Sequence, residues 1–309
     1  MSAIPAKKRT FQKKPDWIKV KLPGGDEFKR ISKMLRERNL FTVCEEAMCP
    51  NIAECWSGGT ATLMIMGEKC TRGCRFCNVK SGIPDTPLDP LEPAKSAETV
   101  ELMNLEYVVI TSVDRDELED QGASHFAKTI ELIHKRTPHV LVETLIPDFR
   151  GNIDCLQTIS HAKPDVLAHN VETVRRLTPF VRDQRATYDQ SLMVLQTMKK
   201  LRENQWTKSS IMLGLGETQE ELLETFQDLR DHDVDFLTLG QYLQPSRKHL
   251  EVKKFYTPEE FKTLEQKALT FGFKYVASGP LVRSSYRAGE FFISNMIKQN
   301  RNGQELPVV

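Results

Sequence analysis

From Thr60 onward, the chain alternates between two patterns of apolar and polar positions. Short apolar runs rich in β-branched residues are typical of buried strands, and apolar residues recurring every three or four positions are typical of amphipathic helices. The runs predict seven strands, at Thr60–Met66, Tyr107–Ser112, Val140–Ile146, Val166–Asn170, Ser210–Leu215, Phe236–Tyr242 and Lys274–Ser278. The helical patterns are Ala94–Asn104, Ser124–Arg136, Tyr188–Glu203, Thr218–Asp231 and Thr257–Phe271.

Strands that alternate with helices predict an α/β fold with a parallel sheet, and we expect a partial or full TIM-type (β/α) barrel over residues 60–280. Two helix starts are well marked: Thr218 and Glu221 form a capping box, and Pro258 follows Thr257 at the first helical position. We expect residues 1–59 and 281–309 to form extensions on either side of this core.

The N-terminal extension begins with a basic stretch. Residues 1–21 carry seven Lys and Arg together with Trp17 and Ile18. This stretch is either a solvated arm or a segment that docks on the body through those two side chains. Residues Glu27–Arg38 and Phe291–Lys298 have helical spacing.

Composition narrows the functional classes. With 309 residues and 39% hydrophobic content, the chain can bury a core, and its net charge of +1 provides no general attraction to nucleic acid or membranes. The chain has neither an apolar run of 18 residues nor an apolar N-terminal signal region. We therefore expect a cytoplasmic protein whose seven cysteines stay reduced, which favours metal ligands over disulfides.

Three cysteines, Cys70, Cys74 and Cys77, follow the first predicted strand at Cx3Cx2C spacing. Thiolates bind zinc or the iron of iron–sulfur clusters, and a four-iron cluster normally takes four of them. Three leave one iron open to a small chelating molecule. A structural zinc site is the alternative, although such sites favour paired Cx2C spacing and four closed ligands.

A second triad, Cys44, Cys49 and Cys55, has Cx4Cx5C spacing. Two clusters are the natural interpretation, and a single site with six thiolates is the competing one. The predicted strand at 60–66 lies between the triads and favours two sites. Cys155 lies in a helix-like segment and is interpreted as an ordinary buried residue.

The first motif, with Phe76 just before the last cysteine, resembles the radical S-adenosylmethionine (SAM) superfamily. This resemblance implies that SAM chelates the open iron of a 4Fe–4S cluster through its amino and carboxylate groups. One electron then cleaves the sulfonium and releases methionine and a 5′-deoxyadenosyl radical, while the protein orients and shields the reaction.

Polar and glycine residues follow the predicted strands, where barrel enzymes place their sites. We consider six of them candidates for SAM contact: Thr111, Asn170, Glu172, Gly214, Gly216 and Glu217. The Gly-x-Gly-Glu stretch is also an ordinary strand-to-helix turn, and His169 is expected to satisfy the core rather than bind metal.

The full set of motifs resembles the lipoyl synthase family within that superfamily, from about Pro15 to Ala288. Departures occur at Asp116–Glu117 and Gln121–Gly122, which bears on contacts in that loop. The matching stretches are the two triads, Val108–Asp116, His169–Val174, Thr207–Thr218, Gly240–Pro245 and Arg283-Ser-Ser-Tyr286.

The resemblance implies a radical SAM sulfurtransferase that inserts two sulfur atoms at C6 and C8 of a protein-bound octanoyl-lysine group. Cys70, Cys74 and Cys77 would hold the SAM-cleaving cluster. Cys44, Cys49 and Cys55 would hold an auxiliary 4Fe–4S cluster, carried by the terminal extensions and consumed as sulfur donor. Its fourth ligand would be Ser285, with Ser284 as the alternative.

The implied partners are octanoylated lipoyl domains (2-oxoacid dehydrogenase E2 subunits and the glycine cleavage H protein), a ferredoxin- or flavodoxin-type electron donor and iron–sulfur assembly proteins. Nucleic acid and membranes are not expected. Two rival functions remain: another radical SAM sulfur-transfer enzyme, as in tRNA modification or biotin formation, and a non-catalytic iron–sulfur electron-transfer protein. The rivals differ in whether the protein cleaves SAM.

Overall fold

A computed structural model describes residues 13–18, 24, 26–46, 49, 51–57, 60–285 and 293–297. The strands are β1 (Phe41–Thr42), β2 (Thr60–Ile65), β3 (Lys69–Cys70), β4 (Lys80–Ser81), β5 (Tyr107–Ser112), β6 (Leu141–Leu145), β7 (Val166–Ala168), β8 (Trp206–Leu213), β9 (Phe236–Gln241) and β10 (Tyr275–Gly279). The helices are α1 (Asp26–Glu37), α2 (Val43–Glu46), α3 (Ile52–Ser57), α4 (Glu92–Leu102), α5 (Ala123–Arg136), α6 (Ile153–His161), α7 (Thr178–Val181), α8 (Tyr188–Leu201), α9 (Gln219–Asp231) and α10 (Pro258–Thr270).

Eight strands form one sheet in the order β1-β2-β5-β6-β7-β8-β9-β10. The strands from β2 to β10 in this order are parallel, and β1 pairs antiparallel with β2 at the edge. Within the described ranges the two edge strands do not pair with each other, so the sheet forms an open, partial barrel. The predicted α/β barrel architecture is confirmed, with helices covering the outer face.

The predicted strands agree with the observed ones except at β8. That strand begins at Trp206, four residues before the predicted Ser210. The polar side chain of Lys208 hides the start of the strand, because a lysine interrupts the apolar pattern used to recognise it. The prediction also missed β1, β3 and β4, which have two residues each and contain too few positions to show a period.

Lys208 points into the barrel and is almost completely buried. Its Nζ atom donates to Glu143 Oε1 and Oε2 at 2.9 and 2.8 Å, and the Tyr107 hydroxyl donates to Glu143 Oε2 at 2.7 Å. A buried ion pair is tolerated when further hydrogen bonds satisfy its oxygens, as they do here. This network lies near the N-terminal ends of the strands.

Both terminal segments pack on the barrel. Of the two interpretations of the N-terminal stretch, the structure supports docking, because Trp17 Nε1 donates to Tyr256 O at 3.1 Å and Ile18 is buried. Residues 1–12 and 19–21 of that stretch lie outside the described residues. Residues 293–297 are helical, and Ile293, Met296 and Ile297 share an apolar cluster with the first residues of β5, β6, β7, β8 and β9. The rest of the predicted Phe291–Lys298 helix lies outside the described residues.

No helix within the described ranges combines the length and apolar character required to cross a membrane.

We expect Lys208→Ala to lower the free energy of unfolding by about 3–5 kcal/mol, because it leaves the Glu143 carboxylate buried without its cation. Urea unfolding followed by fluorescence measures the loss. Lys128→Ala is the control: this exposed lysine lies 3.9 Å from Glu131, and we expect less than about 0.5 kcal/mol. If the two variants unfold at the same urea concentration, the interpretation that the Lys208–Glu143 pair stabilises the barrel is contradicted.

Candidate active site

The loop of the Cx3Cx2C motif is held from both ends at the mouth of the barrel. At its start, β3 pairs with β4, and Thr71 N donates to Asp114 O at 3.0 Å. At its end, the Cys77 carbonyl accepts from His249 Nε2 at 2.9 Å. The three cysteines are half-buried. The loop therefore presents its thiols in a fixed backbone frame, as a cluster site requires.

Backbone N–H groups point at the sulfurs. Cys70 Sγ accepts from the amides of Arg72 and Asp114 at 3.5 and 3.4 Å, and Cys74 Sγ accepts from Asp183 N at 3.3 Å. Burial is the largest cause that raises the pKa of each thiol in the motif, to about 12 for Cys74. Thiolates in such surroundings need the positive charge of bound metal, and hydrogen bonds to sulfur tune the reduction potential of a cluster.

The cysteines of the described ranges are free thiols. The seven cysteines all lie within the described ranges, and none forms a disulfide. Within those ranges, no three His, Cys, Asp or Glu side chains are arranged to hold one metal ion.

Arg72, between Cys70 and Cys74, anchors the loop to the strands. Its buried guanidinium makes a bidentate contact with Asp148, with both distances 2.7 Å. It also donates to Asp116 from Nε at 3.0 Å and from Nη2 at 2.9 Å. Asp114 Oδ1 lies 3.2 Å from Nε. Three carboxylates that follow β5 and β6 thus surround one cation.

The electrostatics of this group follow from burial and pairing. Burial would lower the pKa of Arg72, but hydrogen bonds to Asp148 and Asp116 raise it, so the guanidinium stays charged. For Asp116 and Asp148, burial is the largest effect and opposes ionisation, but the hydrogen bonds from Arg72 hold both pKa values below the usual range. Burial dominates at Asp114 and raises its pKa to about 6, although Arg72 opposes the rise.

Thr111, Asn170 and Glu172 lie at strand ends near this loop. Thr111 Oγ1 donates to Leu145 O at 2.9 Å, and Asn170 Nδ2 donates to Glu172 Oε1 at 3.1 Å. Glu172 has a positive φ of 68° and bridges in parallel to Ile211. Burial is the main cause that raises the pKa of Glu172, and Glu172 is one of the charges that raise the pKa of Cys77. The structure therefore brings Glu172 close to the cysteine loop.

The Gly214–Glu217 turn is closed by its own hydrogen bonds. Glu217 Oε1 and Oε2 accept from the amides of Gly214 and Leu215 at 2.5 and 2.9 Å. Gly214 and Gly216 have φ values of 102° and 108°, and a Cβ on Gly214 would lie 2.3 Å from Gln241 Nε2. These contacts match the alternative of an ordinary strand-to-helix turn, and Thr218 caps α9 as predicted.

His169 lies in the core, as predicted. Its Nδ1 and Nε2 lie 2.9 Å from Ile146 O and Ser191 Oγ, respectively. Burial, followed by the charge of Arg182, lowers its pKa to about 4. The ring is therefore neutral, and both of its nitrogens are engaged.

The second triad forms a separate neighbourhood. Cys44 lies in α2, Cys55 lies in α3, and Cys49 N donates to Cys44 O at 2.9 Å between them. Burial raises the pKa of Cys44 to about 12, with further contributions from the charges of Cys49 and Cys55. Hydrogen bonds from Thr62 on β2 lower it. The three thiols are therefore close enough to interact electrostatically.

The two cysteine loops are neighbours even though β2 separates them in sequence. Asn78, directly after Cys77, donates from Nδ2 to Glu46 O at 2.7 Å. Since Glu46 ends α2, this bond joins the first motif to the helix that carries Cys44. The bond therefore places the two cysteine loops side by side.

The segment that leads to Ser284 and Ser285 contacts the loop of the second triad, because Asn51 Nδ2 donates to Leu281 O at 2.6 Å. Burial lowers the pKa of Arg283 in this segment, and the charge of Cys49 opposes that shift. Tyr286 of the same motif lies outside the described residues. The sequence analysis did not identify Arg72 and Asn51 as site residues. The available signal was their position, since each lies between two candidate ligands in the sequence.

We expect Arg72→Lys to lower the free energy of unfolding of the iron-free protein by about 3 kcal/mol, because an ammonium group cannot reproduce the forked contacts. Cys74 should then be alkylated faster by iodoacetamide, as measured by mass spectrometry. Arg150→Lys is the control, because Arg150 is half exposed and makes one contact with Asp116. Unchanged stability and alkylation in Arg72→Lys would show that the loop is held by its backbone alone.

Comparison with known proteins identifies the family. Residues 64–229 match the model of the radical SAM superfamily, and residues 2–49 match that of the N-terminal domain of lipoyl synthase of the radical SAM family. The solved structures of Streptococcus suis SuiB bound to S-adenosylmethionine and of the FeFe-hydrogenase maturase HydG from Carboxydothermus hydrogenoformans share the fold. SuiB has a TM-score of 0.56 at 10% identity, and the match covers 82% of this chain and 54% of SuiB. HydG has a TM-score of 0.54 at 12% identity, and the match covers 85% of this chain and 74% of HydG.

Curated relatives are much closer in sequence. Lipoyl synthase of Myxococcus xanthus (strain DK1622) is 57% identical over 94% of this chain and 97% of its own length. The mitochondrial lipoyl synthase of Culex quinquefasciatus is 56% identical over 92% of this chain and 76% of its own. This chain therefore belongs to the lipoyl synthase family of the radical SAM superfamily.

Proposed function

We propose that this protein inserts two sulfur atoms at C6 and C8 of an octanoyl group attached to a lysine of a lipoyl domain, the last step in forming the lipoate cofactor. One observation carries the proposal: two cysteine triads lie on separate elements and are joined by the bond from Asn78 to Glu46. A serine-bearing segment reaches the second triad through Asn51.

The chemistry explains the need for two sites. A saturated methylene has neither an acidic proton nor a leaving group, so acid–base or nucleophilic catalysis has nothing to act on. Bound iron–sulfur clusters and SAM would supply the radical that abstracts hydrogen and the sulfide that is inserted. The protein must then hold the carbon chain beside the second triad, and this placement is its main catalytic contribution.

The residues divide into two sets. Cys70, Cys74 and Cys77 would hold the SAM-binding 4Fe–4S cluster, and Arg72 fixes the orientation of their loop. Six residues at the strand ends would form the SAM site. Thr111, Asn170 and Glu172 would contact SAM through their polar side chains. Gly214, Gly216 and Glu217 would contact SAM or shape the turn that does so. Cys44, Cys49 and Cys55, with Ser285 or Ser284, would hold the auxiliary 4Fe–4S cluster.

The partners follow from the reaction. The substrates would be octanoylated E2 subunits of 2-oxoacid dehydrogenases and the glycine cleavage H protein. Iron–sulfur assembly proteins would rebuild the auxiliary cluster after its sulfur is used. We place the reaction in the cytoplasm, where thiols stay reduced.

An arginine-rich surface suits the electron donor. Arg150 and Arg185 expose 51% and 36% of their side chains, and their partner Asp116 exposes 4%. Arg75 is exposed beside the cysteines and donates to the carbonyl of exposed Phe180 at 3.0 Å. The positive groups thus face solvent while their carboxylates face inward. An acidic ferredoxin- or flavodoxin-type protein would be steered to this surface.

Sulfur insertion is tested by incubating the reconstituted protein with an octanoylated lipoyl-domain peptide, SAM and dithionite. Mass spectrometry should find two sulfurs added with loss of two hydrogens, or the reduced dithiol. Cleavage of SAM without sulfur addition would favour another radical SAM enzyme. Absence of 5′-deoxyadenosine would favour an electron-transfer protein.

The two triads should separate the two half-reactions. We expect Cys70→Ala to abolish both 5′-deoxyadenosine formation and sulfur insertion, because its site would bind SAM. Cys44→Ala should abolish sulfur insertion and retain 5′-deoxyadenosine formation, as measured by liquid chromatography. Loss of SAM cleavage in both variants would contradict separate sites, and Cys155→Ala is the control with a buried cysteine outside both triads.

Charge reversal tests the donor surface. We expect Arg75→Glu combined with Arg150→Glu to reduce the flavodoxin-driven rate about tenfold at low salt, since steering depends on surface charge. The dithionite-driven rate should stay unchanged, because a small reductant needs no docking. Lys200→Glu, at an exposed position of α8, is a control for charge reversal elsewhere on the surface. Equal losses with both reductants would place the defect in the site itself.

A further inference from the structure

The loop of the second triad holds the C-terminal serine segment through one side chain. Asn51 lies between Cys49 and Cys55 and exposes only 4% of its surface. Its Nδ2 atom donates to Leu281 O at 2.6 Å, across 230 positions of sequence. Its own carbonyl accepts from Cys55 N at 3.0 Å. Asn51 is therefore fixed to the triad by its backbone and to the serine segment by its side chain.

The serine segment is also seated on the barrel. Arg283 Nη1 donates to Val282 O at 2.6 Å and to Gln241 O, at the end of β9, at 3.5 Å. The segment also fits closely at the end of β9, where a Cβ on Gly240 would lie 2.2 Å from Val282 O.

We infer that Asn51 is a positioning residue of the auxiliary site, which sets the place of the Ser285 hydroxyl, or that of Ser284, relative to the three thiols. This inference rests on the proposed function and deepens it. The same loop carries the thiol ligands and binds the segment that supplies the oxygen ligand. The three sulfurs and the serine oxygen therefore keep one arrangement. The amide is required because its target is a carbonyl, which only a donor can satisfy.

Asn51→Asp is the most specific substitution. It keeps the shape of the side chain but places a carboxylate acceptor against the Leu281 carbonyl, which is itself an acceptor. Asn152→Asp is the matched control. Asn152 acts through its oxygen alone, accepting from the amides of Asp154 and Cys155, and a carboxylate preserves both contacts. Asn51→Ala removes the donor without adding an acceptor and serves if Asn51→Asp does not fold.

The first measurement uses iron-free full-length protein carrying Ser285→Cys. Mild oxidation with diamide should join the introduced thiol to a cysteine of the second triad, as identified by peptide mass spectrometry. We expect Asn51→Asp to reduce the yield of this disulfide about tenfold, as loss of a buried hydrogen bond implies, and Asn152→Asp to leave it unchanged. Equal yields in all variants, or equal losses in both, would overturn the inference.

The second measurement uses the reconstituted protein with its natural serines. Mössbauer spectra should contain a component for an iron bound to oxygen, and Asn51→Asp should lose it while Asn152→Asp keeps it. A merely structural role for Asn51 would lower stability in urea without changing this signature, and that result would overturn the inference. The cross-linking measurement does not depend on catalysis. Failure of the unsubstituted protein to insert sulfur would therefore contradict the proposed function, while the yield of the disulfide would still test the role of Asn51.

Discussion

The buried guanidinium of Arg72 is the interaction on which the site depends. Removing a charge from water is costly, and the cost is offset here by forked contacts with Asp148 and Asp116 and by the nearby Asp114. Because Arg72 stands between two cysteines, the same contacts hold the thiol loop over the ends of β5 and β6. Loops at the carboxyl ends of barrel strands are well suited to this task, because the strands themselves are rigid.

The second cysteine triad lies in the N-terminal part of the chain, whose buried apolar side chains share one core with β2 and α5. Phe28 stacks on Trp56 within this part, with ring centroids 5.1 Å apart, and the pairing of β1 with β2 attaches it to the barrel. Side-chain amides then join this part to the first cysteine loop and to the segment that leads to Ser284 and Ser285.

The barrel interior shows how local patterns mislead. Lys208 hid the start of β8 because a lysine at a strand position normally indicates solvent, yet this lysine faces inward and pairs with Glu143 from β6. Glu217 has a role that the sequence pattern left open. Its carboxylate, at a position where a ligand contact is expected, also closes its own turn through the amides of Gly214 and Leu215.

The sequence by itself determined the order of the seven parallel strands and of the longer helices, the caps at Thr218 and Thr257, the two cysteine triads and the family resemblance, because these depend on short-range spacing that is visible along the chain. Only the tertiary structure decided the partners of Arg72, Lys208 and Asn51, which lie 76, 65 and 230 positions away. Such partners are chosen by how the strands and loops meet in space. A polar side chain carries no local sign of which distant group will neutralise its charge or accept its hydrogen bond.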